Sequence, residues 1–501
     1  MKDSITRAHQ LYKQHLYTDA LSLYRQILLS YPQSENLRLM IGNCLDALGD
    51  KLAAEESYRE ILNSNPDSVS ALANLATICY EKGSYREARQ FSLRVLELKP
   101  EDLSAFVNLG NILYQQKEYE QALKYYQKAE KSKPDYYVAV INIANTYADL
   151  KNYSKAVSYA HKALKLRPGD VTSLTLLGNS YLELDQNEMS VEYLLPAIEI
   201  SPDDPWLYNS LSQAYQNLNQ WQKAMAAGWS AVEKSGGEEA QQLNFGYLLY
   251  EAKLAGEDSL CLDSACRWRQ KYDDPIVRHM AAAIENRTDS LRAEDGYVQQ
   301  IFDVFADDFE AVLTGLDYQA PNLIRCLMEK FYGDGTQSKL RILDAGCGTG
   351  FCGEFLQKYA AEDGLYGVDI SSKMLDVARR KKLYSHLLNS ELEAFFASPK
   401  NKFDLITAAD VFTYFGDLSL LFGGMKNSLE KNGRIIFTVS ENRANEKDYF
   451  LHASGRYLHH QNYLNQLLDS YAFETEIFDR VKLRNEGDKE VFGYLVSAVL
   501  K

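Results

Sequence analysis

The sequence predicts a two-part fold, an N-terminal all-α repeat solenoid and a C-terminal α/β domain with a doubly wound sheet and a terminal antiparallel hairpin. Prolines recur every 34 residues in the first half, and strand-like runs alternate with helical runs in the second. Glycine use also changes, from 8 glycines in residues 1–236 to 17 in residues 291–501. We therefore predict repeats in 1–236, a helical cap or connector in 237–290 and the α/β domain in 291–501.

The repeat is a unit of 34 residues that occurs about seven times. Small side chains let two antiparallel helices approach closely, and a proline ends the second helix. Because one helix pair cannot bury its apolar face alone, such units stack into a superhelix. The period and pattern resemble the tetratricopeptide repeat. The positions in register are Pro32, Pro66, Pro100, Pro134, Pro168 and Pro202, with Ala20, Ala54, Ala88, Ala122 and Ala156.

Asparagines recur on the first helix of these units, which lines the concave side of such a solenoid. An amide side chain can both donate to and accept from an extended peptide backbone, so the row could hold a peptide of a protein partner. The alternative is that the asparagines belong to the repeat's own packing pattern. The residues concerned are Asn43, Asn74, Asn108, Asn111, Asn142, Asn145 and Asn179.

Composition excludes several classes of protein. The net charge is −15, so a nucleic-acid partner is not expected. Seven cysteines form no CxxC pair, which argues against both a disulfide framework and a structural zinc site and favours a reducing compartment. Neither a secretory leader nor a membrane-spanning run is evident, so we expect a cytoplasmic protein without a membrane partner.

The chemistry is predicted to lie in the run Asp344-Ala345-Gly346-Cys347-Gly348-Thr349-Gly350, which follows a buried strand. Further strands end at Asp369 and Asp410. In doubly wound sheets ligands bind beyond the carboxyl ends of the strands, at the point where strand order reverses. We therefore expect these residues to border one ligand site.

Two cofactors compete for this glycine loop. The spacing Gly348-x-Gly350-x-x-Gly353 matches a dinucleotide fingerprint with Asp369 at a suitable distance. A pyrophosphate, however, needs bare amides at a helix N-terminus and is repelled by a carboxylate such as Asp344. S-adenosylmethionine is cationic and has no phosphate, so we favour it over a nicotinamide cofactor. No metal is required, and no metal-ligand cluster is visible.

The loop and the chain's end together resemble class I S-adenosylmethionine-dependent methyltransferases, which have a Rossmann-like fold. The D-x-G-x-G-x-G run is similar to their first motif, and FETEIFDRVKLR with EVFGYLVSAVL resembles their final hairpin. Together with GVDISSKML, AADVFTYFGDL and GRYLHHQNYL, nearly the whole chain resembles a bacterial family of tetratricopeptide-containing predicted methyltransferases. The resemblance implies an enzyme but does not identify its acceptor.

The donor site is predicted from strand ends and from this resemblance. Gly346, Gly348 and Gly350 let the backbone approach the donor, and Asp369 matches the two ribose hydroxyls with its two oxygens. The remaining predicted contacts are Asp344, Ile370 and Met374, Ser390 and Glu391 at the third strand's end, Asp410 on the substrate side, and Tyr297 and Phe302 on a helix that resembles a lid. Several have a structural alternative, such as helix capping for Asp369 and core packing for Met374.

The acceptor side is predicted to include Arg456, Tyr457 and His459, which follow the fifth strand. A hydroxyl or ammonium acceptor must lose a proton, so His459 is the leading candidate base, with Tyr457 or Asp410 behind it. A carboxylate acceptor needs no base.

Three functions fit the sequence. In the first, the repeats of a methyltransferase recruit a protein as substrate or anchor. In the second, a small-molecule methyltransferase uses its repeats to form homo-oligomers. In the third, the chain is a scaffold with a silent cofactor fold. Because the donor motifs are intact, we favour an enzyme, with the first function ahead of the second.

Overall fold

The computed structural model describes residues 2–287, 290–335, 337–398, 401–443, 446–486 and 489–501. The chain divides into two compact units, one made of residues 1–203 and 213–219, the other of residues 204–212 and 220–501. In the second unit Gly228, Trp229 and Phe245 pack together, with the two aromatic ring centroids 5.7 Å apart. The repeat register, by comparison, predicts the end of the repeats at residue 236.

Helices occupy the whole repeat region. They run as antiparallel pairs, with a tight turn inside each pair. Their bounds are α1 (Lys2–Lys13), α2 (Tyr17–Ser30), α3 (Glu35–Ala47), α4 (Lys51–Ser64), α5 (Val69–Glu81), α6 (Tyr85–Leu98), α7 (Leu103–Gln115), α8 (Tyr119–Ser132), α9 (Tyr137–Asp149), α10 (Tyr153–Leu166), α11 (Val171–Glu183), α12 (Asn187–Ile200), α13 (Pro205–Asn217) and α14 (Trp221–Lys234).

The repeated small residues sit where the helices of one pair meet. A methyl group added at Gly110 would lie 2.4 Å from Cε1 of Tyr126, and one at Gly42 would lie 2.4 Å from the same atom of Tyr58. Both tyrosine rings are buried. Capping follows the repeat as well, because Ser34 accepts a hydrogen bond from a backbone N–H of the first turn that it precedes.

The second unit continues with eleven further α-helices in its described residues. Tyr414 lies in a short 3-10 turn, Phe412–Tyr414. The helices are α15 (Glu239–Leu254), α16 (Asp258–Lys271), α17 (Pro275–Ile284), α18 (Asp295–Phe305), α19 (Phe309–Gly315), α20 (Ala320–Tyr332), α21 (Gly353–Leu356), α22 (Ser372–Lys381), α23 (Leu392–Ala397), α24 (Ser419–Ser428) and α25 (Gln461–Ser470).

A seven-stranded sheet in the order β3-β2-β1-β4-β5-β9-β8 forms the centre of this unit. The first five strands of that order are parallel, and β9 is antiparallel to both β5 and β8. The strands are β1 (Leu340–Ala345), β2 (Ala360–Asp369), β3 (His386–Asn389), β4 (Phe403–Ala408), β5 (Leu429–Ser440), β6 (Tyr449–Leu451), β7 (Tyr457–His459), β8 (Phe473–Glu486) and β9 (Lys489–Leu500).

This topology confirms the predicted fold class, a helical repeat region and a doubly wound sheet with a final hairpin. Two apolar clusters cover the sheet. One is centred on residues such as Phe422 and Phe437, the other on residues such as Ile324 and Leu405. The order reverses between β1 and β4, so their carboxyl ends border a crevice. In the part of the chain that the structure describes, no helix has the length and apolar character needed to span a bilayer.

We predict that Gly110→Ala destabilises the repeats. The new methyl group clashes with Tyr126, which cannot withdraw without losing its hydrogen bond to Asn111, 2.8 Å long. Overpacking of this kind lowers the free energy of unfolding by about 1–3 kcal/mol. Urea unfolding followed by circular dichroism measures it. Gly315→Ala is the control, since a methyl group there meets no atom within 4 Å; equal midpoints for the two variants would contradict the prediction.

Candidate functional site

A cavity of about 1170 Å³, counted with the open space at its mouth, lies at the carboxyl ends of β1, β2 and β4. Its lining includes three acidic residues that end or follow these strands, Asp344, Asp369 and Asp410.

The loop after β1 forms one wall of the cavity. The N–H groups of Gly346 and Cys347 donate to the carbonyl of Val368, at 2.8 and 3.0 Å, which pins the loop to β2. Gly346 has φ +71°, and a side chain there would lie 2.4 Å from Val411. At Gly348, with φ +52°, a methyl group would meet only Phe309, at 3.7 Å. The loop therefore presents bare backbone to the cavity.

Asp369 ends β2 beside this loop. Its Oδ2 accepts from the N–H of Gly348 at 2.8 Å, and its Oδ1 accepts from the N–H of Ser371 at 2.9 Å. Each oxygen can accept a second hydrogen bond from the cavity side. Burial raises the pKa of this carboxyl to about 6, and these backbone donors oppose the shift.

Asp344 is more deeply enclosed than Asp369. Only 2% of the residue is exposed, and Tyr384 donates its hydroxyl to Oδ2 at 2.6 Å while Thr407 donates to Oδ1 at 3.2 Å. Burial raises its pKa to about 6, and the two hydroxyls counteract that rise. The carboxylate lines the cavity with its charge but already has two donors.

Asp410 stands on the opposite side of the loop, just after β4. It has φ +59°, and its own N–H donates to the hydroxyl of Thr438 at 2.9 Å. Nη1 of Arg484 donates to Oδ2 at 2.9 Å. Burial raises the pKa of Asp410 to about 6, against the lowering effect of Arg456.

Arg484 belongs to a charged group at the base of the cavity that sequence reasoning missed. Its side chain is 3% exposed, and its Nε and Nη2 both donate to Oε1 of Glu486, at 3.0 and 2.9 Å. Arg456 donates from Nη1 to the same oxygen at 2.9 Å. The pairing of Arg484 with Asp410 spans 74 residues, so no local pattern could have revealed it.

Other predicted donor residues border the cavity. Ile370 and Ser390 line it, and so does Glu391. The oxygens of Glu391 cap α23 by accepting from the N–H groups of Glu393 and Ala394, at 2.9 and 2.8 Å. Glu391 is therefore held by the helix that it begins, as well as by Arg292 at 3.2 Å.

Helices α18 and α19 each contribute an aromatic side chain to the cavity wall. Phe302 and Phe309 both line the cavity, with their ring centroids 5.9 Å apart. Glu310 ties α19 to the glycine loop by accepting from Thr349 Oγ1 at 2.7 Å, and to α22 by accepting from Lys381 Nζ at 2.5 Å.

Three predicted donor contacts do not line this cavity and are corrected here. Tyr297 is buried and stacks on His279, with ring centroids 3.9 Å apart. Met374 is fully buried, in the first turn of α22. Gly350 packs against the ring of Tyr384, where an added methyl group would lie 3.0 Å from Cε2.

The predicted catalytic roles of His459 and Tyr457 are contradicted by their positions. His459 is fully buried in β7, and its Nε2 lies 3.1 Å from the carbonyl of Gly416. Burial lowers its pKa to about 4, so the ring is neutral. Tyr457 is also buried and donates to the carbonyl of Ser290 at 3.0 Å. Of this predicted cluster only Arg456 lines the cavity.

The asparagines of the repeats contact one another instead of standing apart. Oδ1 of Asn43 accepts from Tyr58 at 2.7 Å and from Asn74 at 2.9 Å. Asn111 repeats the arrangement with Tyr126 at 2.8 Å and Asn142 at 3.1 Å.

Three further asparagines complete the predicted set. Asn108 donates to Thr77 at 3.1 Å. Asn145 is half-buried, and Oδ1 of Asn179 is buried without a partner among the described residues. Taken with the bonds of Asn43 and Asn111, these contacts favour the alternative that most of the row belongs to the packing between repeat units.

The glycine loop and its flanking carboxylates lie at the switch point of the doubly wound sheet, the place where ligands bind in folds of this kind. A family model described as a methyltransferase domain matches residues 336–476. Tetratricopeptide repeat models match residues 5–69, 39–102, 75–137 and 171–204, and a model of regulator of microtubule dynamics protein 1-3 matches 107–173. The chain thus joins tetratricopeptide repeats to a methyltransferase domain, as its sequence predicts.

Curated relatives match about a fifth of this chain. Malonyl-[acyl-carrier protein] O-methyltransferase of Acetivibrio thermocellus is 29% identical over 21% of this chain and 37% of the relative. Ubiquinone biosynthesis O-methyltransferase of Pasteurella multocida is 32% identical over 20% of this chain and 46% of the relative. The chain therefore spans less than half the length of either relative. Among solved structures, pilF of Pseudomonas aeruginosa has a TM-score of 0.37 and 22% identity, over 40% of this chain and 91% of that chain.

We predict that Arg484→Met destabilises the second unit strongly. The substitution leaves Asp410 without its buried partner and removes one of the two arginines that pair with Glu486; breaking a buried pair in this way costs about 3–5 kcal/mol of unfolding free energy.

Arg480→Met on the same strand is the matched control, because Arg480 pairs with Glu441 on an exposed surface. Its unfolding free energy is expected to stay nearly unchanged. Urea titration followed by tryptophan fluorescence compares the two variants. Similar losses of unfolding free energy in both would show that the Asp410–Arg484 pair stabilises the unit no more than an exposed pair does.

Proposed function

We propose that this protein is an S-adenosylmethionine-dependent methyltransferase whose donor binds between the glycine loop and Asp369. The observation that carries the proposal is the carboxylate of Asp369, fixed by Gly348 and Ser371 and open on its cavity side to a vicinal diol. Bare backbone at Gly348 supports the fit, since a side chain at that position would occupy the cavity.

Each lining residue has a distinct part in this proposal. Asp369 accepts the two ribose hydroxyls, and Ile370 offers an apolar surface to the adenine. The charge of Asp344 favours a cation nearby. Phe302 and Phe309 exclude water on the side of the cavity formed by α18 and α19. When bound, S-adenosylmethionine supplies an electrophilic methyl group on a positively charged sulfur. Since that group is already activated, the chain's task is alignment and desolvation.

The nicotinamide alternative is less well supported. Helix α21, which follows the loop, has only four residues, so it offers a weak dipole to a pyrophosphate. The carboxylates of Asp344 and Asp369 would repel phosphate oxygens. A silent scaffold is likewise disfavoured, because the glycine loop and Asp369 retain the geometry that a ligand needs.

For the repeats we propose recruitment of a protein partner, either substrate or anchor. Tetratricopeptide repeats are generally protein-interaction modules, and self-association of this chain is the competing use. The curated relatives are named as O-methyltransferases, which favours an oxygen acceptor here. All seven cysteines are unpaired, which supports the cytoplasm as the place of action.

We predict that Asp369→Asn weakens S-adenosylmethionine binding about 10- to 100-fold, the effect of losing hydrogen bonds to a charged group. Isothermal calorimetry on the full chain measures it. Asp376→Asn on α22 is the control, because Asp376 is exposed and pairs only with Arg379 among its described contacts. Unchanged affinity in Asp369→Asn, or binding of NADH without binding of S-adenosylmethionine, would overturn the proposed cofactor.

The same titration has a predicted pH dependence. Burial raises the pKa of Asp369 to about 6, so lowering the pH through that value protonates the carboxylate and removes its capacity to accept both hydroxyls. Affinity should therefore fall as the pH decreases through about 6. In Asp369→Asn this dependence should shrink to the part that Asp344 contributes, whose pKa is also raised to about 6.

We predict that Asn145→Arg combined with Thr175→Arg, on the first helices of two repeat units, lowers methyl transfer to the protein fraction of a cell extract. A loss of about 1.4 kcal/mol in the free energy of partner binding corresponds to an affinity about tenfold lower. Transfer of a radiolabelled methyl group measures it, with the exposed Ser158→Arg on α10 as control. Equal labelling in all three proteins would contradict recruitment, and label found only in small molecules would favour the second function.

A further inference from the structure

One oxygen of Asp410 has no partner. Its Oδ1 is buried and unbonded among the described residues, although the side chain is 90% buried and lines the cavity. An unpaired buried acceptor is costly, about 1–3 kcal/mol, unless a ligand supplies the missing donor. A bound molecule with an N–H or O–H group could supply that donor.

The direction of that oxygen is fixed by its surroundings. Asp410 adopts φ +59°, an uncommon conformation for a residue with a side chain, and Thr438 holds its N–H. Arg484 holds the second carboxylate oxygen. With the backbone and one oxygen restrained, Oδ1 has little freedom to find a donor elsewhere in the protein.

Arg456 brings a positive charge to the same place. It lines the cavity with a side chain that is 25% exposed, and its charge acts on both Asp410 and Tyr414. Glu486 is fixed in turn by Arg484 and by Tyr250 of α15, whose hydroxyl lies 3.3 Å from Oε2. A guanidinium and a carboxylate thus flank the acceptor end of the cavity.

A second cavity, of about 1230 Å³ with its open space, reaches the same pair of arginines from the other side. Its wall combines Tyr250 of α15 with His452 and Phe492, and it shares Arg456 and Arg484 with the first cavity. Both arginines therefore border both cavities.

From this arrangement we infer that the acceptor is an acidic hydroxyl on a flat apolar body, a phenol or an enol, and that its oxygen lies between Oδ1 of Asp410 and the guanidinium of Arg456. The inference rests on the proposed function and names its substrate class. The walls near that point suit such a body, since they include Tyr318, Val411, Tyr414 and Phe415.

The charges distinguish a hydroxyl from the other acceptors. A carboxylate would bring a second anion against the unbonded oxygen of Asp410. An ammonium would be repelled by Arg456. A neutral hydroxyl satisfies Asp410 as a donor, and its oxygen gains stabilisation from Arg456 as negative charge develops.

The step balances with these groups alone. The hydroxyl proton passes to Oδ1 of Asp410, and an oxygen lone pair forms the new bond to the methyl carbon. The electron pair of the broken carbon–sulfur bond stays on sulfur, which becomes a neutral thioether. Burial raises the pKa of Asp410 to about 6, which makes it a better proton acceptor than an exposed aspartate and suits a general base near neutral pH.

The test compares phenol, benzoate and benzylamine, which present the three acceptor groups on one ring. Calorimetry measures their binding to the full chain saturated with S-adenosylhomocysteine, the reaction product. Phenol should bind about tenfold more tightly than either of the others. Asp410→Asn should lower the affinity for phenol and raise the affinity for benzoate, each by about tenfold. Arg456→Gln should lower the affinity for phenol and raise the affinity for benzylamine.

Asp376→Asn and Arg379→Met, from an exposed pair on α22, are the matched controls and should keep the phenol preference. Circular dichroism and product binding establish that each variant is folded. Tighter binding of benzoate or benzylamine by the unaltered chain, or an unchanged preference in both cavity variants, would overturn the inference while leaving the proposed function standing. Failure of the chain to bind S-adenosylhomocysteine would overturn the proposed function and this assignment with it.

Discussion

The attachment of the glycine loop to the end of β2 is the constraint on which the site depends. Two N–H groups of the loop donate to Val368, and a third, from Gly348, donates to Asp369. These bonds hold a loop in which Gly346 and Gly348 adopt positive φ, a conformation that glycine takes without strain. They bring the ends of β1, β2 and β4 to a single cavity, so Asp344, Asp369 and Asp410 act on the same space.

Features set by local or periodic rules could be predicted from the sequence. The repeat follows from one proline and one small residue in register, because both act on neighbouring helices. The sheet and the positions of Asp344, Asp369 and Asp410 follow from strand ends and from the switch-point rule. Final packing is less local. Met374 and Gly350 were predicted as donor contacts, yet Met374 is buried in the core and Gly350 packs against Tyr384.

The pairing of Arg484 and the burial of His459 could not be predicted from local or periodic patterns. Arg484 meets Asp410 because a hairpin strand returns across the sheet, which depends on tertiary register rather than spacing. His459 was predicted as a base from its residue type and its position after the fifth strand, whereas a short two-stranded pairing with β6 encloses it. Arg456 could be predicted from the sequence, because a charged residue directly before an aromatic strand needs a partner when that charged residue is enclosed.

The hydrogen bonds between asparagines have a mechanical consequence for the repeats. Successive bonds from Asn43 to Asn74, from Thr77 to Asn108 and from Asn111 to Asn142 link α3, α5, α7 and α9 into one chain of cross-ties. Leu176 occupies the position that would continue the series beyond Asn145. These bonds should stiffen the segment from α3 to α9 against bending. Bending of the superhelix should therefore concentrate toward α11, where the series of bonds ends.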